Sequence, residues 1–351
     1  MTGWDYHAVI IGGGQSGLAT AYYLRKYGVS FVVLDAGERP GGAWPHYWDS
    51  LTLFSRAEFS NLPGWPMPAA EGFPPRDHVV DYLTRYEQRY ELPVRRGERV
   101  ERVERVERGE QDAAAGGPAG FRVLPQGITA RHVVVATGIW SAPFIPFVPG
   151  SFTGTQLHAA QYRRPADFAG QRVAVIGAGN SGAQIAADLA LAAREDPALG
   201  IEARWYTRGE PAFMPDGIDG SDLFRRNRER FLAIARGGED PGCADFDGDI
   251  VAVPEVRRAR DAGLLRAHPM VASLDELERD GGDNGVDTII WATGFRPALR
   301  PVRGLPLSTP NLHVVGFDAL GGPGAGTIGG VSPFAREVAR RIAGDSCTVS
   351  G

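Results

Sequence analysis

Two doubly wound α/β domains, each a mostly parallel sheet between helical layers and the second inserted in the first, are the fold class this sequence predicts. Three observations carry that expectation. The pattern strand, Gly-x-Gly-x-x-Gly, helix occurs twice, at 7–24 and 171–190. Each occurrence is followed far downstream by a short apolar strand ending in Ala-Thr-Gly, at 136–138 and 292–294. After the second tripeptide the chain returns to a strand, Leu312–Val315, and a last helix near Phe334–Ile342 that Ser332 and Pro333 open. The expected division is 1–155 plus 286–351 for the first domain and 156–285 for the second.

In the first unit, Tyr6–Ile11 reads as a buried strand and runs directly into Gly12-x-Gly14-x-x-Gly17, with a helix over Leu18–Tyr27. Such a turn uses its first glycine for the tight bend, its second to let a pyrophosphate near the backbone, and its third for close helix–strand packing. The N–H groups at the helix start hold the phosphates. A second strand, Ser30–Leu34, ends at Asp35, where an acid about 20 residues on accepts from a ribose hydroxyl. A lone glycine turn is weak, but strand, turn, helix, strand and acid in order define a dinucleotide site.

The second unit repeats the grammar with strand Arg172–Ile176, turn Gly177-x-Gly179-x-x-Gly182 and helix Ala183–Ala193. Its next strand, Ile201–Thr207, closes on Thr207 and Arg208 and not on an acid. A guanidinium there suits a 2′-phosphate, so NADPH is expected ahead of NADH; Glu210 leaves a ribose diol, and hence NADH, as the alternative. Two fingerprints imply two dinucleotides. The economical pair is a tightly held flavin and a reducing nicotinamide, one bringing the hydride and the other passing electrons on.

Composition bounds the rest. At 351 residues the chain suits two domains with sizeable cores. A net charge of −5 argues against a nucleic-acid partner. Lys26 is the only lysine among 37 basic residues, a compositional bias. Cys243 and Cys347 are far apart and form no CxxC pair, zinc spacing or disulfide framework, which fits a free-thiol cytoplasmic protein. No apolar run of about 18 residues predicts a membrane span, and the opening strand leaves no room for a signal peptide. The seven histidines show no metal spacing, so no metal is expected. GQSGL and GNSGA lack the last glycine of a nucleophile elbow. Asp245, Asp247 and Asp249 begin like a calcium loop, but Ile250 stands where that loop needs glycine. RVERVERVER, 99–108, reads as a charged hairpin with the Gly/Ala-rich stretch Asp112–Gly120 at its turn.

The segment SFTGTQLHAAQYRRP, 151–165, carries Phe152, Gly154, His158 and Tyr162 just before the second fingerprint. It resembles the identifying motif of the flavin-containing monooxygenases; Tyr162 sets it apart from the Baeyer–Villiger variant, which ends in Trp-Pro or Trp-Asp. GGAWPHYWDSLTLFSRAEFSNLPGWPMP (41–68), GDIV (248–251) and ATGFRPAL (292–299) extend the resemblance over almost the whole chain. They resemble small bacterial members, including those encoded with arsenic-resistance operons.

The resemblance implies FAD, NADPH, O₂ and a small-molecule substrate. A C4a-peroxyflavin would give one oxygen to a sulfide or amine, or to a ketone in Baeyer–Villiger fashion, with the bound nicotinamide shielding it. It implies FAD contacts from Gly12, Gly14, Ser16, Gly17, Asp35, Gly42, Trp44 and Thr137. Asp318 joins them, although it stands one place early relative to the family's Gly-Asp. NADP contacts fall on Gly177, Gly179, Asn180, Ser181, Gly182, Thr207 and Arg208. His158 and Tyr162 would brace the inter-domain link and the nicotinamide side. Phe54 takes the place of the family's flavin-facing asparagine and, with Tyr162, is the candidate catalytic position. In the aromatic cluster Trp44, His46, Tyr47 and Trp48, core packing is the plain reading; the adjacent glycines draw Trp44 to the flavin side, and His46 fits either role. The other function classes are a reductase serving a protein acceptor and a non-catalytic flavin-binding sensor. A homodimer is compatible with all three.

Overall fold

The computed structural model describes residues 3–106, 119–235, 237–239, 250–278 and 285–347. β1 (Tyr6–Ile11) centres the first sheet because both its faces find apolar cover. Ala8 and Ile10 join one buried cluster with Leu18 and Leu24 of α1 (Gln15–Lys26), while Val9 and Ile11 join another with Val133 and Phe121. That two-sided burial is why the strand is a continuous apolar run and not an alternating one. β1 pairs in parallel with β2 (Phe31–Leu34) on one side and β6 (Ile128–Val135) on the other. Helix α2 (Arg76–Arg89) buries Val79, Tyr82, Leu83 and Tyr86, and leads to β3 (Val94–Arg95) beside β2.

The arginine–glutamate repeat forms the expected hairpin. β4 (Arg102–Val106) runs antiparallel to β5 (Gly120–Leu124), with Val103 opposite Val123 and both buried. Most of its turn lies outside the described residues. β5 covers the first half of one edge of β6, and β12 (Leu312–Val314) pairs in parallel with its last three residues. The returning strand therefore completes the edge that the hairpin leaves open. The last helix, α6 (Ser332–Cys347), packs on α1 through Ala335, Ala339 and Ile342.

The second sheet is wholly parallel, in the order β10-β9-β8-β11-β7. Its strands are β7 (Thr155–His158), β8 (Arg172–Ile176), β9 (Glu202–Thr207), β10 (Ala267–Pro269) and β11 (Thr288–Trp291). Helix α3 (Asn180–Glu195) lies between β8 and β9, and helices α4 (Gly220–Ala235) and α5 (Pro254–Asp261) precede β10. The boundary expected at 286 assigns β11 to the first unit. Instead Ile290 pairs with Val175 on one side and Leu157 on the other, inside the second sheet. Its four residues are all buried, so the strand needs the cover that this sheet's two faces supply. Among the described residues no helix is long and apolar enough to cross a membrane, and no three potential ligands gather as a metal site would require.

Candidate functional site

The glycines of each fingerprint divide into two kinds. A Cβ on Gly12 would collide with the Ala136 carbonyl, and one on Gly17 with the carbonyl of Gly12. In the second unit Gly177 abuts the Ala292 carbonyl and Gly182 the carbonyl of Gly177 in the same way. So the alanine of each Ala-Thr-Gly backs onto the first glycine of its own fingerprint. Gly12 and Gly177 also hold φ of +106° and +143°, where a side chain is strained. The middle glycines differ. At Gly14 a Cβ would make only an ordinary 3.7 Å contact with Gly42, and at Gly179 it would meet nothing within 4 Å.

Those two glycines are the N-caps of α1 and α3. Neither helix start has a side-chain cap or an acidic residue in its first turn. Two helices thus begin with N–H groups that no side chain satisfies, beside backbone bare of Cβ, and this is the cradle an anionic pyrophosphate fits.

Around the first cradle three distant segments converge. Gln15 Nε2 donates to the Gly326 carbonyl at 2.9 Å, while its Oε1 accepts from the Trp44 indole at 3.1 Å. One amide thereby ties the fingerprint loop to the Gly41–Trp44 loop and to the glycine-rich stretch after β12. Gly42, at φ +60°, approaches so closely that a Cβ would stand 2.7 Å from the Gly14 Cα. Ser16 is buried and leaves no room for a Cβ on Gly316. Asp318 accepts from the Gly326 N–H at 2.8 Å, so its carboxylate closes that glycine-rich turn.

Asp35 ends β2 as expected, with Oδ1 accepting from Gly37 N–H at 2.9 Å and Oδ2 paired with Arg96. Arg96 also pairs with Glu87 of α2. Gln15 and Arg96 went unnoticed in the sequence. The only local signal for Arg96 is a cation just past the strand that neighbours the acid.

In the second unit, Asn180 Oδ1 accepts from the Val251 N–H at 2.9 Å and so holds the described end of the GDIV motif. Ser181 is half-buried at the second position of α3. Trp205, another unnoticed residue, donates from its indole to the Gly177 carbonyl at 2.7 Å and floors the loop. Thr207 is buried and donates to the Gly209 carbonyl at 2.7 Å, whereas Arg208 is exposed at the strand end.

The two Ala-Thr-Gly ends run into two antiparallel links. Phe144 N–H donates to Gly294, Arg296 N–H to Ala142, and Ala298 N–H to Gly138, at 2.8–3.0 Å. Thr137, an expected FAD contact, donates its hydroxyl to the Ala298 carbonyl at 2.8 Å and so fastens one link to the other. His158 donates from Nε2 to the Gly294 carbonyl at 2.9 Å and accepts at Nδ1 from Ala160 N–H, which fixes the neutral tautomer. Burial holds its pKa below the usual histidine range.

Aromatic rings extend the join. Trp140 meets Tyr47 at 4.4 Å and Phe295 at 5.6 Å, and Phe295 meets His158 at 4.7 Å. The cluster that begins at Trp44 is therefore packed across the join between the two units. Burial pushes the Tyr47 phenol up to about 12.

The two candidate catalytic side chains are held in different surroundings. Tyr162 is fully buried, donates to Asp188 of α3 at 2.7 Å, and stacks on Phe168. Burial, and then the Asp188 carboxylate, push its pKa up. Its phenol is thus committed inside the second unit's core. Phe54 is half-buried, its ring 6.0 Å from Phe224 and pressed on Gly220, and its carbonyl accepts from Gly220 N–H at 2.7 Å. It joins the first unit's loop to the start of α4.

Two uncapped dinucleotide cradles, each backed by its own tripeptide and joined by paired links, define a two-dinucleotide oxidoreductase. The sequence profile described as pyridine nucleotide-disulphide oxidoreductase matches residues 9–212. The chain belongs to that family, in its flavin-containing monooxygenase branch. It is 31% identical to the oxidoreductase CzcO of Bacillus subtilis, over 84% of this chain and 82% of that one. It is 29% identical to the oxidoreductase CzcO-like of Geobacillus kaustophilus, over 95% and 97%. The solved flavin-containing monooxygenase from Stenotrophomonas maltophilia matches with 40% identity and a TM-score of 0.79, over 97% of this chain and 99% of that one. The chain is a small flavin-dependent monooxygenase of a pyridine-nucleotide family.

Proposed function

We propose that the first cradle holds FAD, the second holds NADPH, and that the enzyme transfers one oxygen atom from O₂ to a soft nucleophile such as a sulfide or amine, with ketones as the second substrate class. FAD, when bound, would supply hydride acceptance and the activation of O₂. The observation that carries this reading is the pair of bare middle glycines, Gly14 and Gly179, each capping a helix start that no side chain closes.

Gly14 and the α1 N–H groups bind the flavin pyrophosphate, and Asp35 accepts from the adenosine ribose. Gln15 orients the Trp44 loop against them. Gly179 and the start of α3 bind the nicotinamide pyrophosphate, and Arg208 meets the 2′-phosphate. The His158 proton stays on Nε2 for the Gly294 carbonyl and holds the link in register. Phe54, with no polar atom in its side chain, excludes water between the first unit's loop and α4. Tyr162 acts through packing and its bond to Asp188.

The test is direct. Protein loaded with FAD is given NADPH under air with a thioether, an amine and a ketone in turn, and products and hydrogen peroxide are measured. Sulfoxide or N-oxide formation dependent on NADPH is expected. NADPH consumption that yields peroxide alone with every substrate class defeats the oxygen-transfer reading.

A further inference from the structure

Asp35 and Glu87 come from different elements, the end of β2 and the last turns of α2, yet both carboxylates converge on Arg96. All three side chains are largely buried, at 11–17% exposure. Two carboxylates this close and this dry repel each other unless a cation stands between them. Burial alone raises the Glu87 pKa, the Arg96 charge opposes that rise, and the Asp35 charge adds to it.

The backbone sets the guanidinium in place. Asp35 N–H donates to the Arg95 carbonyl at 2.9 Å and Glu98 N–H to the Asp35 carbonyl at 2.8 Å, so the chain after β3 continues the ladder past the end of β2. Arg95 turns the other way and meets the Tyr6 hydroxyl at 2.7 Å. Asp35 and Arg96 thus stand together at the carboxyl ends of adjacent parallel strands, the edge at which doubly wound sheets take their ligands.

The pair also abuts the fingerprint itself. A Cβ on Gly13 would stand 2.5 Å from Asp35 Oδ2 and 3.1 Å from an Arg96 terminal nitrogen. The Arg96 Nε is buried with no hydrogen-bond partner among the described residues. A buried guanidinium with an unsatisfied donor costs stability, and at this position it is offset by fixing the orientation of one carboxylate.

We propose that Arg96 is a positioning residue for FAD, which clamps the Asp35 carboxylate against the fingerprint loop and presents it to the adenosine ribose. This rests on the reading that the first cradle takes FAD. With Oδ2 on Arg96 and Oδ1 on Gly37, the carboxylate plane is fixed, and its remaining lone pairs are the acceptors a vicinal diol needs. Without the cation, Asp35 turns away from Glu87 and the diol loses its acceptor.

The experiment is titration of the apoprotein with FAD, followed by quenching of flavin fluorescence. Arg96→Gln should raise the Kd for FAD at least tenfold, and Asp35→Asn should do the same. The double variant should bind no worse than the weaker single variant by more than about twofold, because both changes break one device. Arg96→Lys, which keeps the cation, should recover most of the affinity and also serves if Arg96→Gln fails to fold. NADPH affinity should be unchanged in every variant. Multiplying losses in the double variant, or wild-type FAD affinity in Arg96→Gln, would overturn the positioning role. Failure of the wild-type apoprotein to bind FAD at all would instead remove the reading beneath it.

Discussion

Thr137 and Thr293, the middle residues of the two repeated tripeptides, each fasten the opposite link: Thr137 donates to the Ala298 carbonyl at 2.8 Å and Thr293 to the Phe144 carbonyl at 2.6 Å. The repeat is therefore a reciprocal clasp between the units. Each lost hydroxyl should cost about 1 kcal/mol. Thr137→Val and Thr293→Val should each lower the melting temperature by about 2 °C and keep full flavin content. A colourless Thr137→Val protein that melts normally would return that hydroxyl to the flavin.

The glycines of the second fingerprint should separate by phenotype. Gly182→Ala drives a methyl into the Gly177 carbonyl, an overpacking that should cost about 3 kcal/mol or more and destabilise the second unit. Gly179→Ala meets no protein atom, so the fold should tolerate it while the KM for NADPH rises at least tenfold. Thermal melts beside NADPH titrations distinguish the two. Equal melting losses would mean that the middle glycine also serves the fold.

Arg208→Ala should weaken NADPH by roughly 1.5 kcal/mol, the low end for a charged contact because the side chain is exposed, and leave NADH nearly unchanged. Added salt should shrink the difference. Steady-state KM values for both cofactors at two ionic strengths check this, and parallel losses with NADH would make Arg208 structural.

Behind the first sheet, His132 is buried against His7, His313 and Asp345. Burial, chiefly, holds His132 down to about 3 and His313 to about 4. Below about pH 6.5 the unfolded chain takes up protons that these folded histidines refuse, so stability falls with pH through that window and is flat with respect to them above it. Each such histidine contributes a slope of about 1.4 kcal/mol per pH unit. His132→Phe should remove one proton's share of that slope between pH 6 and 4, read from urea midpoints. An unchanged slope would show that carboxylates carry the acid lability.

The fingerprints were legible because a glycine turn is largely a local event: Gly17 and Gly182 answer to the carbonyls of Gly12 and Gly177 within the same turn. The charged hairpin was legible for the same reason, since β4 pairs with a strand close in sequence, Val103 facing Val123. Sheet membership was not. Thr288–Trp291 reads as a buried strand in either unit, and only its pairing with β8 and β7 decides between them. Nor were Gln15, Arg96 and Trp205 legible, because their partners lie 9 to 311 residues distant, on other elements, and nothing in their own neighbourhoods marks the pairing. Tyr162 stood out through a motif, but a motif does not say which way a phenol points, and this one points at Asp188.

Phe54 carries the last prediction. Its ring packs on Gly220 and near Phe224 at the start of α4, and its carbonyl holds the Gly220 N–H. The backbone bond survives any substitution, so changing the side chain alters packing and polarity without unfastening α4. Phe54→Asn removes apolar cover from the seam between the loop and the helix and adds an amide that attracts water. Water at an oxygen-activating site lets peroxide leave before it is used. The amide could also grip the reacting oxygen and improve transfer, and the geometry decides against that: the ring is turned toward α4 and lies in contact with it. Phe54→Asn should therefore raise the share of NADPH consumed as hydrogen peroxide, by about twofold or more, while the rate of flavin reduction stays within about twofold of wild type. Phe54→Leu, apolar but smaller, should fall between the two. Stopped-flow reduction under nitrogen, followed by peroxide and sulfoxide yields under air, reads both quantities on one preparation. A slower reduction equal in size to the change in yield would place the side chain at the nicotinamide and not at the seam. A lower peroxide share would show the amide reaching the oxygen.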